Sequence, residues 1–95
     1  MSGVLVIAKL KFIDVERYRK YQAAFPSVFA TSGGRVLAAD ESPIPLSGDD
    51  ADKVVVMQFP NAETAQAFLT SSEYEEIGED RDAGAITQSW MVKML

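Results

Sequence analysis

The chain has 95 residues, 47% hydrophobic and 24% charged, which fits one small globular domain over residues 1–95 rather than a disordered or fibrous segment. It contains no cysteine and no histidine, which excludes disulfides, thiolate nucleophiles and cysteine metal sites, and removes the commonest general base and metal ligand near neutral pH. The net charge is −5, with six Lys/Arg against four Asp/Glu in residues 1–48 and three against ten in residues 49–95. An acidic chain repels phosphate backbones, so no nucleic-acid partner is expected. No stretch approaches the roughly 20 apolar residues of a membrane span. The amino terminus lacks the pattern of a cleaved leader, and the absence of disulfides fits a reducing cytoplasm, the expected location.

Val4 to Ile13 predicts a first strand. One face carries Val4, Val6, Ala8, Leu10 and Phe12; the other carries Leu5, Ile7, Lys9, Lys11 and Ile13. Asp14 is a helix cap, with Glu16 in the favourable first turn. Val15, Tyr18, Gln22, Phe25 and Phe29 recur at helical spacing as a buried stripe, and Pro26 is expected to kink this helix without ending it. Gly33-Gly34 is the expected stop. Arg35 to Asp40 reads as a short second strand, and residues 41–52 as an exposed loop of turn formers and acids.

Val54 to Phe59 is the most apolar run of the chain and reads as the central strand, with Val54 and Val56 on one face and Val55, Met57 and Phe59 on the other. Pro60 stops it. Asn61 caps a helix over Ala62 to Leu69. Ser72 and Glu75 have the spacing of a capping box that starts another helix. Ala85 to Leu95 closes the chain as a strand, with Ile86, Gln88, Trp90, Val92 and Met94 on one face and Thr87, Ser89, Met91, Lys93 and Leu95 on the other.

The order is βαββαβ, the ferredoxin-like α+β arrangement: a four-stranded antiparallel sheet with its helices on one face. The other sheet face would be open, yet the central strand is apolar on both sides. An exposed apolar face of that size calls for a partner. A second copy packed sheet to sheet, a homodimer, is the simplest one.

These residues carry a family resemblance. The Tyr18-to-Tyr21 helix with its internal Pro26, then Gly33-Gly34-Arg35, the run Val54 to Pro60, and Ser72-Glu73-Tyr74 with Arg81 seven residues beyond the tyrosine resemble the bacterial domain of unknown function 1330, within the dimeric α+β barrel superfamily. The resemblance covers nearly the whole chain and implies a ferredoxin-like fold and a dimer. It implies no established reaction. Where the family usually carries Glu-Gly with a nearby aromatic before the third strand, this chain has Leu46-Ser47-Gly48-Asp49-Asp50.

Tyr74, Ile77 and Arg81 share a helical face if the helix persists past Gly78. Ile77 points that face inward, and an inward guanidinium needs a partner. Two readings follow. In one, Arg81 holds a carboxylate or enolate oxygen, Tyr74 donates a hydrogen bond, Tyr18 and Tyr21 line the same pocket, and the helix start at Ser72 adds amide donors. In the other, Arg81 makes a structural pair with Asp14, Glu16 or Asp40. Asp49, Asp50 and Asp52 lack the alternating spacing of a calcium loop, so neither a metal nor a cofactor is expected. The acidic run Glu73 to Asp82 reads as a solvated helix face.

Three classes of function remain open from the sequence: a cofactor-free enzyme on a small anionic or carbonyl-bearing molecule, a small-molecule binding module, and an accessory dimer without a ligand. A pocket with Arg81 and an unpartnered carboxylate favours the first. A pocket of paired polar groups favours the second, and no pocket favours the third.

Overall fold

The structure, a computed structural model, describes residues 3–95. Strand β1 (Val4–Phe12) leads to helix α1 (Val15–Phe29), then β2 (Arg35–Asp40), β3 (Lys53–Phe59), α2 (Ala62–Leu69), α3 (Ser72–Gly84) and β4 (Ala85–Lys93). The strands form one sheet in the order β2-β3-β1-β4, and every neighbouring pair is antiparallel. This is the ferredoxin-like topology that the alternation of strands and helices predicts.

The caps explain where the helices begin. The Asp14 side chain accepts from the Arg17 amide, and Asn61 accepts from Thr64. Pro26 lies within α1, which runs on through Phe29. The first stop differs from expectation: α1 ends at Phe29 with Ala30 as its cap, and Gly33 serves the following turn with a φ of 83°, a conformation that glycine adopts without strain. The start of α3 also differs. Ser71, not Ser72, is its cap, accepting from the Tyr74 amide, and Ser72 donates to Glu73 instead.

The helix-facing side of the sheet presents Val4, Val6, Leu10, Met57 and Phe59, all buried against Tyr18, Tyr21, Ala65, Phe68 and Tyr74. The buried stripe of α1 is therefore turned slightly from the expected one. Val15 and Gln22 are exposed, and Tyr21 takes the inward place beside Tyr18, Phe25 and Phe29. Both stripes satisfy helical spacing; packing on α3 selects between them, since the Tyr21 and Tyr74 rings meet edge-on at 6.3 Å.

The opposite face is open. Across it Val56 pairs with Ile7 and Ile7 with Trp90, while Leu5 pairs with Val92. Trp90 is 51% exposed and Ile86 62%. One close contact ties the helices together. A side chain at Gly84 would put its Cβ 2.4 Å from the Tyr18 nitrogen, and the Gly84 carbonyl accepts from the amides of Ile13 and Asp14 at 2.9 and 3.0 Å.

Candidate functional site

Between the helices and the sheet lies a cavity of about 370 Å³. Its floor follows from the register. Lys53, Leu10 and Thr87 form one cross-strand row, and Ala39, Val55, Ala8 and Ser89 form the next. Three of the four residues in that second row are small, so the sheet recedes where a larger set would fill the space. The roof is Tyr18, Tyr21, Phe25 and Pro26 from α1, Leu69 from α2, and Tyr74, Arg81 and Asp82 from α3.

Of the residues singled out from the sequence, Arg81, Tyr74, Tyr18 and Tyr21 all border this cavity; Ser72 does not. The reason is the one-residue shift of the α3 cap, which leaves Ser72 exposed on the outer side of the helix. Helix α3 does persist past Gly78, through Gly84, so Tyr74, Ile77 and Arg81 share a face as their spacing requires.

Arg81 is held from two sides. Its Nη1 donates to the Tyr74 hydroxyl at 2.6 Å, and its Nε and Nη2 donate to Asp82 Oδ1 at 3.2 and 3.1 Å. The acids considered for a structural pair, Asp14, Glu16 and Asp40, are not its partners; the adjacent Asp82 is. Burial pulls the Arg81 pKa down, but the electrostatic pull of the Tyr74 and Tyr21 phenol groups and of Asp82 outweighs it, and the net shift is upward. The guanidinium also lies 5.8 Å from the Tyr21 ring centre and 5.4 Å from that of Tyr74, within cation–π range.

The Tyr74 and Tyr21 hydroxyls are 3.1 Å apart, and either can be the donor. Burial, reinforced by Tyr74, raises the pKa of Tyr21, so its proton stays on near neutral pH. Arginine only donates, so Tyr74 accepts from it. The two hydroxyls own two protons and share one bond. Whichever donates, one hydroxyl proton remains without a protein acceptor among the described residues. The polar apex of the cavity is therefore a donor site.

Lys53 escapes the sequence reading because it opens the apolar run and looks like its polar boundary. Counting back by twos from Phe59 through Met57 and Val55 places it on the inward face, and it is 5% exposed. Its ammonium lies 5.0 Å from the Tyr18 ring centre and 3.5 Å from Glu41. Glu41 is gripped by Arg19 at 2.5 and 2.7 Å, and that hydrogen bonding holds its carboxyl at about 2, well below the usual range. The acids of the loop before β3 have structural neighbours: Asp52 accepts from the Phe12 amide and Asp50 from Lys11.

A ferredoxin-like α+β sheet with a helix-roofed cavity defines the structural class. Within that class the chain belongs to the DUF1330 family, a domain of unknown function, whose model matches residues 3–95. A search of curated proteins returns no match. Among solved structures, the chain is similar to a protein of unknown function from Rhodopseudomonas palustris at 17% identity, covering 98% of this chain and 81% of that one, with a TM-score of 0.79. It is similar to SnoaB, a cofactor-independent oxygenase from Streptomyces nogalater, at 10% identity, covering 96% and 91% of the two chains, with a TM-score of 0.70. A dimeric ferredoxin-like protein of unknown function from Thermobifida fusca aligns at 13% identity over 98% and 90%, with a TM-score of 0.69. Identities this low establish the shared fold alone. Among the described residues no helix is long and apolar enough to cross a membrane.

Proposed function

We propose that this protein binds a small carboxylate or carbonyl-bearing molecule in the cavity beneath Arg81, Tyr74, Tyr21 and Tyr18. The hydroxyl proton left over by the Arg81–Tyr74–Tyr21 chain carries this reading. A buried donor without an acceptor is costly, and a ligand oxygen in the cavity would satisfy it. Apolar residues such as Val55, Met57 and Phe25 would hold the body of the molecule. Asp82 is the one carboxylate on the cavity wall among the described residues, and it is engaged with Arg81. A general base needs a free carboxylate of raised pKa. The paired groups therefore favour binding over proton abstraction.

A second reading, cofactor-free chemistry, is favoured by the same donors. A guanidinium and a hydroxyl on the wall of one cavity would stabilise an enolate oxygen that reached both, and the likeness to a cofactor-independent oxygenase is compatible with that. We further propose that two copies pack through their open sheet faces, as the apolar row Val56, Ile7 and Trp90 suggests, and that the protein works in the cytoplasm. Amide NMR titration with a panel of small carboxylates and ketones tests the binding reading. Shifts should gather at Tyr21, Tyr74, Arg81 and Thr87. A panel that leaves the cavity amides unmoved at millimolar concentration would refute it. Oxygen uptake or product formation with a bound panel member would raise the second reading above the first.

A further inference from the structure

The binding reading gives Lys53 no task, although it is the most deeply buried charge described. Its side chain is 6% exposed, and its one ionic neighbour among the described residues, Glu41, stands 3.5 Å away at the outer limit of a hydrogen bond. Glu41 is shared: both of its carboxylate oxygens also accept from Arg19. An ammonium has three donors and Glu41 can engage one of them, so Lys53, which lines the cavity, keeps donors for a ligand oxygen. Thr87 stands across the floor from it. The Thr87 hydroxyl oxygen is buried and has no hydrogen-bond partner. Lys53 and Thr87 both pair with Leu10, one from each side, so their side chains rise on the same face, roughly 10 Å apart at the backbone.

The two cations of the cavity are linked through aromatic rings. Lys53 lies over Tyr18, the Tyr18 and Tyr21 centroids are 5.5 Å apart, and Tyr21 lies under Arg81. One end of the site thus offers Arg81 with a spare tyrosine proton. The other offers Lys53 with a spare threonine hydroxyl. Small and apolar residues, Ala8 and Val55, lie between.

We infer that the ligand has two oxygen-bearing ends: a dicarboxylic or oxocarboxylic acid that spans the cavity, one end on Arg81, Tyr74 and Tyr21, the other on Lys53 and Thr87. This rests on the binding reading above and narrows its ligand class. Isothermal titration of the full chain with linear dicarboxylates of increasing length, each beside the monocarboxylate of equal length, tests it. One length of dicarboxylate should bind roughly tenfold or more tighter than its monocarboxylate, the range expected for one added charge-assisted hydrogen bond. Lys53→Met should erase that preference. Thr87→Val keeps the side-chain shape and so guards against a folding defect; it should shrink the preference severalfold. Equal binding of both series, or a preference that survives both substitutions, would overturn the two-ended ligand while leaving the pocket intact. If neither series binds and the ketones of the NMR panel also leave the cavity amides unmoved, the binding reading fails with it.

Discussion

Replacing Arg81 by methionine separates a ligand group from a structural one. The pair with Asp82 is cheap to lose, because the Asp82 side chain is 70% exposed and returns to water; such pairs contribute about 0–1 kcal/mol. The bond to Tyr74 matters more, about 1 kcal/mol net once the charged donor is replaced. Tyr74 is not orphaned, since Tyr21 remains 3.1 Å away. Methionine keeps most of the apolar stem in contact with the tyrosine rings. The expected loss is therefore roughly 1–2 kcal/mol, measured by urea unfolding at fixed protein concentration, well below the roughly 3–5 kcal/mol of a broken buried pair. Affinity for the best carboxylate of the panel should fall about ten- to a hundredfold by titration calorimetry. Arg81→Lys keeps the charge but not the planar fork, so it should recover only part of that affinity. A loss of 3–5 kcal/mol in stability with unchanged affinity would show that Arg81 is a structural partner and not a ligand group.

Three further outcomes follow from the same geometry. Tyr21→Phe removes a hydroxyl whose only partner among the described residues is Tyr74, so it should cost less than about 1 kcal/mol in stability yet weaken binding of a carbonyl ligand; unchanged affinity in the NMR titration would remove Tyr21 from the site. On the proposed sheet-to-sheet packing, Trp90→Asp places a charge on the open face beside Ile7 and should yield monomer or loss of fold by light scattering; a variant that scatters as a folded dimer would refute that packing. The carboxyl of Glu41 is held down to about 2 from 4.5, and a depressed carboxylate pKa adds stability that is present above about 4.5 and lost as pH falls toward 2. Urea midpoints recorded against pH should therefore fall less steeply across that window for Glu41→Gln than for the unaltered chain.

Much of the fold could be read from residue order alone, because Lys9 and Lys11 mark the outer face of β1, the continuous apolar run from Val54 to Phe59 marks the central strand, and the caps at Asp14 and Asn61 mark helix starts. The site was legible where spacing decides it: Tyr74 and Arg81 share a face because seven residues make two helical turns. It was not legible where the choice depends on a distant element. Tyr21 displaces Gln22 from the buried stripe because α3 brings Tyr74 against it. The partner of Arg81 proved to be the next residue in the chain, although neighbours on a helix do not face one another; a long guanidinium arm reaches round where Cβ positions do not. Ser71 and Ser72 are equally good caps by composition, and the preceding turn chooses between them. Lys53 could have been found by carrying the two-residue period one step further back.

The glycine at position 84 has a bearing on which end of the roof is fastened. By removing a side chain where α3 meets the start of α1, it binds the two roof helices together along one end, as a spine holds the covers of a book. The opposite end has no such tie: there Pro26 deprives α1 of one amide donor, and β2 is exposed along its whole length. Hydrogen exchange should record this asymmetry, with the amides of Ile13 and Asp14 the slowest in the roof and those flanking Pro26 among the quickest.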